Sequence, residues 1–113
     1  MFPQMTLTEK DNHFYCKPVK NSGEIILKKF QQMNVNMDVI IDLSEFEKVD
    51  QAISVSMVSI QEIISNGGFS LVVVFKSISN FPNYDSLTVV PTLGEAEDYV
   101  QMEQMQRDLG ISL

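Results

Sequence analysis

The sequence predicts an α/β domain: a mixed sheet of four to five strands with helices packed on it. Three observations carry that reading. Residues 37–43 (MDVIIDL) place five apolar residues in seven, a short β-branched run suited to a strand covered on both faces. Ile53, Met57, Ile60 and Ile64 recur at spacings of four, three and four, which draws one apolar stripe down a helix. A second apolar run, Phe69 to Phe75, follows a break at Asn66-Gly67-Gly68. Strand, polar connection (44–50), helix, glycine stop and strand make a βαβ unit, whose right-handed crossover sets the two strands parallel.

The remaining elements fall around that unit. Residues 5–9 alternate weakly, Lys10-Asp11-Asn12 suits a turn, and Phe14 to Val19 alternates again, which predicts an N-terminal hairpin. Pro18 confines the second strand to an edge or makes it end there. A short helix follows Asn21-Ser22-Gly23, with Ser22 as N-cap. Its inner face is Ile26, Phe30 and Met33, flanked by Ile25 and Leu27, and it ends at Asn34-Val35-Asn36. The helix bearing Ile53 to Ile64 contains Ser54, Ser56 and Ser59 and few strong formers, so packing must hold it. Residues 77–86 carry Asn80, Pro82, Asn83 and Asp85 and read as turns. Leu87 to Val90 is a brief strand ended by Pro91.

Thr92 to Leu109 is the clearest helix. Thr92 and Glu95 form a capping-box pattern, and Gly110 stands where a C′ glycine belongs. Glu95, Glu97 and Asp98 suit the first turns and Arg107 the last. Its expected buried face is Ala96, Tyr99 and Val100, joined by Met102, Met105 and Leu109. Met102 and Met105 are read as core, although methionine also suits adaptable contact surfaces.

Bulk properties narrow the function. The 113 residues are 44% hydrophobic and 20% charged, as expected of one soluble globular domain, 1–113. No apolar run approaches the roughly 18–20 residues that cross a bilayer, and no signal peptide is evident. The single cysteine, Cys16, permits no internal disulfide and suits a reducing cytoplasm; on a strand it reads as a small buried hydrophobe. Fifteen acidic residues against eight basic ones give a net charge of −7, which argues against a phosphate backbone as partner.

Catalytic chemistry finds little support. His13, the only histidine, has no Cys, Asp or Glu at metal-ligand spacing and reads as a surface residue. No nucleophile signature is present. Gly67-Gly68 follows a helix and precedes a strand, the reverse of a phosphate-cradling loop, so it reads as a helix stop. Asp42 and Asp50 flank the loop at the carboxyl end of the central strand, the usual ligand crevice of an open parallel sheet. Asp42 would cap that loop and Asp50 would be the N-cap of the following helix.

The element order, together with several short stretches, resembles the STAS domains, small α/β modules of bacterial anti-sigma-factor antagonists and sulphate-transporter tails. Val39-Ile40-Ile41-Asp42-Leu43-Ser44 is similar to the family strand ending in Asp-Leu-Ser, and Asp50 stands where the family's switch motif opens. Asn66-Gly67-Gly68 with Phe69 to Val73, Val90-Pro91-Thr92 with Glu95-Ala96, and the tail Met102 to Leu109 extend the resemblance over residues 5–110. It implies a STAS-like (SpoIIAA-like) fold whose third helix is shortened or absent here. It also implies a non-enzymatic, cytoplasmic, signalling module of transcription regulation, without cofactor or metal. The implied partner is a protein, an anti-sigma-type serine kinase. The implied surface is Asp42, Ser44, Asp50, Gln51, Ala52, Ser54 and Val55.

One departure matters. The family's switch reads Asp-Ser-Ser-Gly, with a serine that the kinase phosphorylates. Here the residues are Asp50-Gln51-Ala52-Ile53, and neither Gln nor Ala can take the charge and acceptor oxygens of a phosphate. No phosphorylation switch is expected, so binding would be constitutive or the original partner lost. Two alternatives stay open: a small ligand (nucleotide or lipid) bound near Asp42, and a structural homodimer subunit.

Overall fold

Every residue of the central strand is buried, the two carboxylates at its ends included. The computed structural model describes residues 5–10, 12–18, 23–33 and 35–109, with backbone alone at 5–7, 23–25 and 84. Its strands are β1 (Met5–Glu9), β2 (His13–Pro18), β3 (Asp38–Asp42), β4 (Leu71–Val74) and β5 (Val89–Val90). Its helices are α1 (Gly23–Gln32), α2 (Gln51–Asn66) and α3 (Leu93–Asp108). The five strands lie side by side in chain order. β1 runs antiparallel to β2, and each later neighbour is parallel. Val39 faces Leu71 and Ile41 faces Val73, so the βαβ unit predicted from the apolar runs is present. Pro18 ends β2, as its missing N–H requires.

Period-two alternation splits the strands between two cores. Val39, Ile41, Leu71 and Val73 face α1 and α2, meeting Ile26, Phe30, Ile53, Met57, Ile60 and Ile64. Ile40, Val72 and Val74 face the other way, toward Ala96 and Val100 of α3. The helix stop after α2 uses Gly68 at φ 87°, a conformation that glycine adopts without steric penalty. The Gly67 and Phe69 N–H groups donate to Ile64 O and the Gly68 N–H donates to Ser65 O, closing the helix end.

No α-helix forms between β4 and β5. Two single 3-10 turns, Ile78–Asn80 and Tyr84–Ser86, occupy that stretch. Phe81 pins it: its ring is buried and meets Phe75 edge-on with centroids 5.7 Å apart. The predicted roles of Asp11, Val19, Ser22, Asn34 and Gly110, and of the Ile25 side chain, lie outside the described residues.

Two expectations are corrected. Met102, Met105 and Leu109 are not core: they are 53%, 59% and 70% exposed. The helix face that meets the sheet runs Ala96, Val100, Gln104, Arg107, at the same helical spacing but with its apolar character lost after the second turn. His13 is not a surface residue: only 4% of it is exposed, and α3 returns over it from the far end of the chain.

These placements separate the methionines. Met57→Ala is expected to lower unfolding free energy by about 2–5 kcal/mol. Met102→Ala and Met105→Ala should stay within about 0.5 kcal/mol of the parent. Urea denaturation of the three variants checks this, and comparable losses in all three would contradict the packing described.

Candidate functional site

The carboxyl end of β3 is organised by Asp42. One of its oxygens accepts the Ser44 N–H at 2.9 Å, which turns the chain out of the sheet, and the other accepts the Tyr15 hydroxyl from β2. Burial alone would raise the Asp42 carboxyl. The Ser44 and Tyr15 hydrogen bonds, with Lys17 nearby, outweigh it and hold the group below its ordinary 3.8. Burial, then the bond to Asp42, pushes the Tyr15 hydroxyl well above the usual phenol range. Asp42 is therefore a cap with both oxygens engaged, as the sequence suggested, and its carboxylate lies beneath the surface.

The loop that follows is anchored from below. Leu43, Phe46 and Val49 are buried, while Ser44, Glu45, Glu47, Lys48 and Asp50 face solvent. Lys17 Nζ lies 2.8 Å from Glu45 and ties the loop to β2. Asp50 ends it as the N-cap of α2, accepting the Ile53 N–H at 2.9 Å. Outward from the first turns of α2 stand Gln51, Ala52 and Val55, the last 50% exposed. Ser54 is placed differently: it is fully buried, donates its hydroxyl hydrogen to the Pro82 carbonyl and accepts from Asn83 Nδ2 at 3.3 Å. Of the seven residues the sequence proposes, Ser44, Asp50, Gln51, Ala52 and Val55 are exposed, while Asp42 and Ser54 are buried.

Beside this surface a cleft of about 370 Å³ is lined by Glu47, Lys48, Val49, Phe75, Ser77 and Asn80. Among the described residues no group of His, Cys, Asp or Glu could hold a metal ion, and no helix is long and apolar enough to cross a membrane.

A second polar assembly, at the opposite end of β3, was not legible in the sequence. Asp38 accepts the Ser70 N–H at 2.8 Å, Gln104 Nε2 at 2.9 Å and the Arg107 guanidinium at 2.5 Å. Its partners are 32, 66 and 69 residues away in the chain, so no local pattern announces them. Arg107 also donates to Gly68 O at 3.3 Å and lies over the Phe69 ring.

No protein-family model matches the sequence, and no curated protein matches it. Solved structures share the architecture. A serine-to-glutamate variant of RsbS from Moorella thermoacetica superposes with a TM-score of 0.66 at 12% identity, covering 87% of this chain and 95% of its own. A candidate anti-sigma factor antagonist of Thermotoga maritima superposes at 0.69 with 18% identity, covering 88% of this chain and 96% of its own. Its NMR structure gives 0.64 at 22% identity, with 89% of each chain covered. The fold is STAS-like. At these identities the likeness concerns the fold, and the surface residues above take their meaning from this chain's own geometry.

The Tyr15–Asp42 contact yields a pH-dependent expectation. A carboxyl held below its unfolded value stabilises the native state above that value, and the contribution is lost as pH falls through the folded one. Tyr15→Phe removes one of the bonds responsible and should cost about 1–2 kcal/mol at pH 7. The difference from the parent should shrink as pH falls below about 4. Denaturant titrations at several pH values check this; a difference independent of pH would mean that Tyr15 acts through packing alone.

Proposed function

We propose that the chain is a non-enzymatic protein-interaction module of the anti-sigma-factor-antagonist kind, its residues 1–113 acting as one STAS-like domain. Its reading surface is Ser44, Asp50, Gln51, Ala52 and Val55, held in place by Asp42 and Ser54. One observation carries this: a loop pinned by three buried apolar residues and capped by two aspartates delivers a half-exposed valine at the start of a helix. A preorganised surface loses little entropy on binding. The flanking Glu47, Lys48 and Asp50 favour a partner with complementary charged groups around an apolar contact. The family partner implied by the resemblance is an anti-sigma-type serine kinase.

No phosphate switch is expected at the start of α2, where the family motif carries its serine. Gln51 and Ala52 offer no hydroxyl. Ser54 and Ser56, the serines in the first two turns, are 0% and 5% exposed, and the Ser54 hydroxyl is engaged with Pro82. On this reading, binding is not switched by a phosphate at the start of α2: it is constitutive, or the original partner has been lost. Incubation with an anti-sigma-type serine kinase and ATP should leave the intact mass unchanged, and a phosphate on residues 51–54 would overturn the constitutive reading. Val55→Glu should weaken kinase binding at least about tenfold in a calorimetric titration, with the melting temperature unmoved. Unaltered affinity would remove α2 from the surface.

The cleft beside Phe75 favours a second reading, in which the fold binds a small ligand such as a nucleotide or lipid. A ligand selective for the native state raises the melting midpoint. A thermal-shift screen of nucleotides and short-chain lipids separates the two readings, since the interaction module predicts no shift.

A further inference from the structure

The last two turns of α3 are attached to the sheet without apolar burial: none of residues 101–109 is buried. What holds them is polar. Gln104 Nε2 donates to the Asn12 carbonyl at 2.6 Å and to Asp38 at 2.9 Å, Asn12 Nδ2 donates to Gln104 Oε1 at 3.3 Å, and Arg107 reaches Asp38. Beneath this network lies His13, one residue from Asn12 and 4% exposed. We propose that His13 is an acid sensor that releases the C-terminal turns of α3 from the sheet when its imidazole takes up a proton.

The bonding pattern fixes the tautomer. Asn12 gives its amide N–H to Gln104, so its carbonyl oxygen is what faces His13 Nδ1 at 2.7 Å, and Nδ1 must carry the hydrogen. That leaves a lone pair on Nε2, which is buried and has no hydrogen-bond partner. The neutral ring tolerates this. A second proton would place an N–H and a full charge where nothing accepts them, a costly state unless the ring reaches water. Asn12 joins the ring to α3, bonded to Nδ1 on one side and to Gln104 on the other. A ring that turns to bring Nε2 to water pulls on that link, and this is how protonation would reach the helix.

The charged groups around the ring do not rescue it. Glu97 on α3 and Asp38 on β3 favour the imidazolium, and Lys10 at the hairpin turn opposes it. Burial outweighs the two carboxylates and holds the imidazole below its ordinary 6.5. The sign follows. At pH well above 6.5 the docked and released forms are both neutral and the equilibrium is indifferent to pH. Below 6.5 the released form, with its ring in water, binds the proton first, so acidification favours release until the docked ring also titrates.

Hydrogen exchange of the full chain at pH 7.5 and 5.5, corrected for intrinsic rates, tests this. Opening of residues 101–109 should increase over that interval, by at most about tenfold, the limit for one proton taken up with an open-state pKa near 6.5. Protection of α2 should persist. His13→Asn keeps an amide donor near the place of Nδ1 and cannot titrate, so its opening should be independent of pH. An equal pH response in parent and variant, or parallel loss of α2 protection, would overturn the proposal. If the variant does not fold, the parent alone decides, because its one imidazole gives an unambiguous NMR signal. The His13 Cε1 proton should titrate with a midpoint below 6.5, and the 101–109 amides should shift with that same midpoint. A midpoint at or above 6.5 with silent α3 amides would overturn it.

Discussion

A strand covered on both faces cannot hide its polar ends cheaply, and β3 has a carboxylate at each. Asp38 and Asp42 are both inside the protein, and an unpaired buried charge would cost several kcal/mol. Each must therefore be surrounded by donors, and the donors come from distant segments. Asp42 recruits Tyr15 from β2 and the Ser44 backbone; Asp38 recruits Ser70, Gln104 and Arg107. One carboxylate shapes the loop where β3 leaves the sheet. The other fixes the far end of α3. The candidate surface and the docking of the last helix are two consequences of satisfying one strand.

The two faces of the sheet are held differently. On the α1 and α2 side a continuous apolar core runs from Ile26 to Phe81 and needs no polar help. On the α3 side the helix contributes Ala96 and Val100, with Leu93 and Tyr99 partly buried. Past Val100 no residue of this helix is buried, and there Gln104 and Arg107 hold it to the sheet. Polar attachment is sensitive to solvent and charge in a way that an apolar core is not, and the buried histidine lies beside this polar end of the helix. α2, by contrast, is fastened over four turns by Ile53, Met57, Ile60 and Ile64, with its start capped by Asp50.

Much of this was legible in the sequence, for a physical reason. The β3–α2–β4 unit was evident because burial on both faces demands an unbroken apolar run and burial on one face demands a stripe. Asp50 and Thr92 were evident as caps because capping is local. What escaped was nonlocal. His13 beside a polar turn reads as exposed; what buries it lies at Gln104, 92 residues beyond Asn12. The apolar spacing of α3 points its methionines inward, but in the second half of the helix the inward stripe turns polar at Gln104 and Arg107. Ser54 follows the loop in sequence and so reads with the surface, yet the helical rotation turns it under the 77–86 segment, against Pro82. That segment carries no periodicity, and its buried ring, Phe81, is unremarked among turn residues.

The claim on which the account rests is that the exit of β3 and the opening turns of α2 meet a protein partner. Its most direct test is a hydrogen-exchange footprint of the full chain, alone and with an anti-sigma-type serine kinase. The account predicts added protection confined to residues 44–55, with the 75–80 cleft and the exposed side of α3 unchanged. Protection centred on the cleft or on α3, with residues 44–55 exchanging as in the free protein, would contradict it.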